Sequence, residues 1–237
     1  MSTAPWTGHV TPGGPTAVRV LDQVELRKVS VGPMDNNAYL LTCRRDGAQL
    51  LVDAAADPDR LLALVREGDA SARLDLVVTT HRHRDHVGAL ASVVAVTGAR
   101  TAAGADDADA ITQATGVPVG QRLHDGDLLV VGHVTLEVVA LRGHTPGSVA
   151  LAYREPEHTH VPGAAPGRVH LLTGDSLFPG GVGRTTTPQD FTWLYDDVVA
   201  RVFDRFDDET WVYPGHGRDT TLGAERPHLA QWRARGW

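Results

Sequence analysis

One cysteine, Cys43, is all that the 237-residue chain carries, so it cannot close a disulfide on itself. Cys43 lies in the apolar run 38–43 and reads as a small core residue in a reducing, cytoplasmic setting. Cationic excess is also missing. Lys and Arg number 22 against 29 Asp and Glu, a formal charge of −7. Sequence-independent nucleic-acid binding works by neutralising phosphates, and this balance excludes it, together with an anionic membrane surface as main partner. No apolar run approaches the roughly 20 residues of a membrane helix. Residues 1–15 are rich in Thr, Pro and Gly and lack the basic start and apolar stretch of a signal peptide. They are expected to form a flexible or loosely docked N-terminal tail, with 16–237 as a single domain. A small-molecule substrate is the class of partner left.

What is present is a regular alternation of short elements. Val18, Val20, Val24 and Leu26 suggest an opening pair of strand faces. Runs 38–42 and 49–53 flank the turn Arg45-Asp46-Gly47, a hairpin signal. Leu61, Leu62, Leu64 and Val65 recur at helical spacing within 57–67, with Pro58 in the first turn. Residues 74–80 read as a buried strand and 87–97 as a helix. Further strands are predicted at 127–131, 134–141, 148–154, 168–173 and 210–213, with helices at 188–206 and 222–237. The insert 155–167, with three prolines and two glycines, reads as an exposed loop. Trp232 and Trp237 are expected to cover a core edge. Without repeats or a linker, one layered α+β domain is the economical arrangement.

Chemistry concentrates in Thr80-His81-Arg82-His83-Arg84-Asp85-His86, where three imidazoles and a carboxylate fall within six residues. Neutral imidazole and carboxylate are the usual ligands of zinc, and they also suit iron and manganese. His81 and His83, two apart, share one side if strand geometry persists, whereas Asp85 and His86 can face a second point. Arg82 and Arg84 read as solvent-facing spacers. Three later candidates each follow a predicted strand and sit beside glycine: His144 in Gly143-His144-Thr145-Pro146-Gly147, Asp175 in Gly174-Asp175-Ser176, and His216 in Pro214-Gly215-His216-Gly217. Strand ends are where α/β proteins display functional side chains. Asp53, closing the run 50–52, is a candidate carboxylate for orienting a ligating histidine. His124, His133, His158, His160, His170 and His228 have no such context and are taken as non-ligands.

The order His-x-His-x-Asp-His, Gly-His-Thr-Pro-Gly, Gly-Asp-Ser-Leu-Phe, Pro-Gly-His-Gly resembles the metallo-β-lactamase superfamily, and most of all its glyoxalase II (hydroxyacylglutathione hydrolase)-like branch. The resemblance implies a four-layer αββα sandwich with two divalent metals, zinc first and iron or manganese as alternatives. It implies that His81, His83 and His144 hold one metal, that Asp85, His86 and His216 hold the other, and that Asp175 bridges them. Asp85 and Asp175 would act catalytically by positioning a metal-bridging hydroxide, and the implied reaction is hydrolysis of an acyl thioester. Arg184, ending the glycine-rich stretch 178–184, is a candidate contact for an acidic substrate. The same resemblance carries alternatives: a persulfide dioxygenase with one iron on His81, His144 and Asp175, a lactonase, or a non-catalytic metal-binding protein. Glyoxalase II enzymes bind glutathione through a basic C-terminal helical domain; here 21 residues follow His216, which leaves the thiol carrier open.

Overall fold

Strands that read as continuous apolar runs must be covered on both faces. The protein, described over residues 6–236 in a computed structural model, meets that requirement with two sheets stacked between helices. The first sheet runs in the order β1 (Ala17–Val20), β2 (Val24–Val31), β3 (Asn36–Cys43), β4 (Gln49–Val52), β5 (Leu76–Thr79), β6 (Arg100–Gly104) and β7 (Gln121–Leu123). The second runs β8 (Leu128–Val131), β9 (Val134–Ala140), β10 (Val149–Arg154), β11 (Val169–Gly174), β14 (Trp211–Pro214) and β15 (Thr220–Thr221). A small hairpin, β12 (Leu177–Phe178) with β13 (Gly181–Val182), lies between β11 and β14 in the chain.

Alternation along each strand sorts side chains into three apolar layers. Leu50, Val52, Leu76 and Val78 meet Leu136, Val138, Leu151 and Tyr213 between the sheets. Leu51 and Val77 point outward to α1 (Pro58–Gly68) and α3 (Leu90–Thr97), where Leu61, Leu64, Leu90 and Val93 cover them. On the far side Val139, Leu171 and Val212 pack under Leu194 and Val198 of α5 (Pro188–Val198) and Trp232 of α7 (Leu229–Arg235). The expected αββα sandwich is therefore present, and each layer has its own core.

Several expectations are corrected. Of the segment expected to be flexible or loosely docked, Trp6 and Pro12 are anchored: Trp6 packs edge-on to Tyr213 at 6.1 Å and donates Nε1–H to Asp219 at 2.9 Å, and Pro12 bridges to Ser30 of β2. Residues 1–5 and Trp237 lie outside the described residues. The helix expected at 87–97 is two: α2 (Arg84–Val87), starting inside the histidine cluster, and α3. The helix expected at 188–206 ends at Val198 and widens into a π-turn over Val199–Phe203. At 222–237, Pro227 lies in a 3-10 turn that separates α6 (Leu222–Glu225) from α7.

Parallel pairing aims strand ends at one rim. β4 runs parallel to β5, and β11 to β14, so Asp53, His81, Asp175 and His216 emerge on the same side. Backbone bonds stitch that rim: Val149 N to Thr80 O at 2.9 Å, Gly215 N to Gly174 O at 2.8 Å and Asn37 N to Gly215 O at 2.7 Å.

Candidate metal centre

His81 stands one residue beyond Thr80, and Thr80 is fixed by Asp53 at the end of the neighbouring strand. Thr80 donates its amide to Oδ1 at 2.7 Å and its hydroxyl to Oδ2 at 2.8 Å. Asp53 is 2% exposed and adopts φ 60°, a left-handed backbone that costs a non-glycine residue on the order of 1 kcal/mol. Oδ2 also accepts Nδ1–H of His86 at 2.8 Å, so one carboxylate ties β4, β5 and α2 together.

Ring nitrogens and carboxylate oxygens then converge on two adjacent points. His81 Nε2 lies 3.1 Å from His83 Nδ1 and 3.3 Å from His144 Nε2. His86 Nε2 lies 3.2 Å from His216 Nε2, and Asp85 Oδ2 lies 3.5 and 3.3 Å from those two nitrogens. Asp175 spans the gap, with Oδ1 3.4 Å from His86 and Oδ2 3.6 Å from His144 and 3.5 Å from His216. Within each of the trios His81–His83–His144, His81–His86–Asp175 and Asp85–His86–His216, the ligand atoms lie within 4.8 Å of one another.

The outward nitrogens are occupied. Those of His144, His216 and His86 donate to Arg184 O at 2.6 Å, Met34 O at 2.9 Å and Asp53 respectively. A proton fixed outside makes the inner Nε2 the nitrogen that ligates a metal, once any second proton on it has been displaced. Space is kept by glycine: a Cβ on Gly215 would overlap Asp175 Oδ1, and one on Gly174, which sits at φ +48°, would run into Thr80.

Electrostatics test whether cations fit. Burial pulls His81 well below the usual imidazole range and lowers His83 and His144, which keeps the first trio neutral. Burial opposes charge on His86 too, but Asp53 and Asp175 outweigh it and raise the group to about 10. Asp175 likewise raises His216 against burial. Burial works against ionisation of Asp175, yet His216 and His86 hold it far below the carboxylate range. Its Oδ1 is buried without a hydrogen-bond donor. Converging lone pairs, an orphaned anionic oxygen and a nitrogen–oxygen donor set all fit zinc, iron or manganese. The open side is a cleft of about 330 Å³ bordered by His83, His144, Arg82, Arg142 and Trp193.

Residues 31–216 match the family described as the Metallo-beta-lactamase superfamily. The chain belongs to that superfamily. Metallo-beta-lactamase relatives include hydroxyacylglutathione hydrolases of Fuscovulum blasticum, 35% identical over 150 residues, and of Polaromonas sp., 34% identical over 182. The alignments cover 63% and 76% of this chain but 51% and 62% of those proteins, so the chain spans about half to three-fifths of their length. Among solved structures, TTHA1623 in a di-iron-bound form superposes with a TM-score of 0.62 at 31% identity, covering 84% of this chain and 96% of that one.

In this superfamily member the structure brings His81, His83, Asp85, His86, His144, Asp175 and His216 together, with Asp53 against His86. Arg184 enters through its backbone carbonyl, and its side chain is exposed. Two further residues escaped sequence reading. Asn36 donates Nδ2–H to Asp85 at 2.9 Å, and its only sequence signal is its place opening β3. Asp107, fully buried, accepts from Arg82 N at 3.0 Å, Thr145 Oγ1 at 2.5 Å and Gly147 N at 3.1 Å. It thereby joins the loops of His83 and His144. In sequence it looks like an ordinary helix cap before α4 (Ala108–Thr115). Arg82, expected as a spacer, is exposed in its side chain but anchored at its amide. His170 is a buried structural group between Tyr213 OH and Glu155, both at 2.9 Å.

Proposed function

We propose that this protein is a binuclear metallohydrolase acting on the acyl thioester of a small thiol, in a cytoplasmic setting suited to its lone, buried Cys43. The observation that carries the reading is the carboxylate of Asp175, which turns one oxygen toward His86 and the other toward His144 and His216. Two divalent cations, zinc in the first instance, would supply an activated water and a Lewis-acidic pull on the substrate carbonyl. The chain's own part is positional: Asp85 and Asp175 orient the centre, and the cleft beside His83 and His144 receives the acyl compound.

The ionisation of the carboxylates supports a thioester over an amide. Burial pushes Asp85 up, but Asn36 and His86 outweigh it, so Asp85 and Asp175 are both held below the usual range. Neither has a proton to give at neutral pH. A thiolate leaves without one, because a free thiol has a pKa near 8.5. The hydroxyacylglutathione hydrolase names of the relatives agree with this choice.

The test is elemental analysis of the purified protein, followed by a panel of thioester, lactone and persulfide substrates. Two metal equivalents and thioester hydrolysis without oxygen uptake are expected, with metal lost in His83→Ala and His144→Ala. A single iron with oxygen consumed on a persulfide would overturn the proposal in favour of the dioxygenase reading.

A further inference from the structure

A lysine with no solvent exposure, Lys28 of β2, lies behind the metal centre. Its ammonium donates to Gly217 O at 2.8 Å, Gly8 O at 2.7 Å and Asp219 Oδ1 at 2.6 Å, which uses all three protons. Asp219 in turn accepts indole N–H from Trp6 at 2.9 Å and Trp211 at 3.0 Å on Oδ2. Gly217 directly follows His216. The same loop is held by Asn37, which donates to Pro214 O at 2.9 Å and Gly217 O at 3.0 Å, and by Tyr39 OH, which donates to Pro214 O at 2.7 Å. Lys28 thus grips the outgoing end of the His216 loop, and docked residues of the N-terminal segment complete the grip.

Burying an ion pair is a poor way to gain stability, because desolvation offsets the attraction and apolar residues of similar volume do as well. Such a pair does fix geometry, since each direction is prescribed by a hydrogen bond. The other half of the centre leans on a different buried charge: Asp107 accepts hydrogen bonds from the His83 and His144 loops, at Arg82, Thr145 and Gly147.

We infer that Lys28, with Asp219 and Trp6, is a positioning assembly for His216 that sets the affinity of the Asp85–His86–His216 cation position independently of the His81–His83–His144 position. The inference rests on the two-cation reading above. It gives the first residues of the domain a role at the site: the segment around Trp6 and Gly8 acts as a clasp behind one ligand.

The full-length protein, stripped of metal, is titrated with zinc against a chromogenic chelator. Lys28→Met combined with Asp219→Leu removes both charges together and leaves neither unpaired. Trp6→Phe keeps an aromatic ring and removes only the N–H to Asp219. The double variant is expected to weaken one zinc equivalent by about tenfold or more, the range typical when the partners of metal ligands are removed, and to leave the other within about twofold. Trp6→Phe weakens the same equivalent to a smaller degree. The His216→Ala background identifies the position: there the double variant leaves the remaining zinc unchanged, whereas in His83→Ala it weakens the remaining one. Equal weakening of both equivalents, no weakening, or a further loss in His216→Ala overturns the inference. If the double variant does not fold, as read by circular dichroism, Trp6→Phe decides by the same criteria. A wild-type protein that takes up only one equivalent overturns the two-cation reading and the inference with it.

Discussion

Replacing Asp53 by Asn separates the two jobs that this carboxylate performs. The amide keeps one acceptor for Thr80 N and nearly the same volume. Its nitrogen, however, faces His86 Nδ1, which now donates to Asp53 at 2.8 Å. To pair with an N–H donor, His86 must move its proton to Nε2, the atom that stands 3.2 Å from His216 and 3.4 Å from Asp175. The ligand lone pair is then covered. Losing such a partner weakens metal binding about 10–100-fold, equivalent to about 1.4–2.7 kcal/mol. Proton competition adds a pH signature. With His86 raised to about 10, zinc must displace its proton at pH 7, so wild-type affinity climbs about tenfold per pH unit toward pH 9. Without the Asp53 charge the proton is held less tightly, and the variant's curve flattens earlier. The gap between the two proteins is therefore expected to widen from pH 7 to pH 9 in zinc competition titrations. Wild-type affinity of Asp53→Asn at pH 9 would refute the reasoning.

Gly215→Ala is expected to abolish binding of at least one zinc equivalent, as read by elemental analysis, because the added methyl overlaps Asp175 Oδ1. Asp107→Asn is expected to lower stability by about 1–3 kcal/mol in urea unfolding and to weaken zinc in a His216→Ala background, since a buried acceptor shared by the His83 and His144 loops is altered. In the metal-free protein His86 is raised from the 6.5 of the unfolded chain to about 10, so its contribution to stability is complete below about pH 6.5 and is lost as pH rises through about 10. Chelator-treated samples should accordingly show a falling urea midpoint over that interval. Tyr213→Phe removes the hydroxyl that pairs with His170 and Arg19 at 2.9 Å; it should cost about 1–3 kcal/mol while leaving zinc stoichiometry unchanged.

The seven converging residues were legible because each lies in the short segment that follows a strand, His81, His83, Asp85 and His86 after β5 and the other three beside glycine. The layering was legible for a related reason: runs such as Leu50–Val52 and Leu76–Val78 are apolar on both faces and need cover on both. What stayed hidden was carried by long-range pairing. β6 reads Arg-Thr-Ala-Ala-Gly, too small in its side chains to register as a periodic pattern, and β7 is three residues long. Asp107 and Asn36 serve the centre through bonds to residues 25 to 49 positions away, and their local context reads as a cap and a strand start. Residues 6–15 have a loop's composition, yet Trp6 is pinned by Asp219, 213 positions along the chain.

The ligand atoms divide between the sheets. His81, His83, Asp85 and His86 follow β5 of the first, whereas His144, Asp175 and His216 follow strands of the second. A cation held by Asp85, His86 and His216 would be a cross-link across that seam, closing a loop of 130 residues between His86 and His216. Closing so long a loop restricts the denatured chain as a disulfide would. A sequence with a single cysteine has no covalent staple available, and chelation is the route by which this sandwich can fasten its two halves at one end.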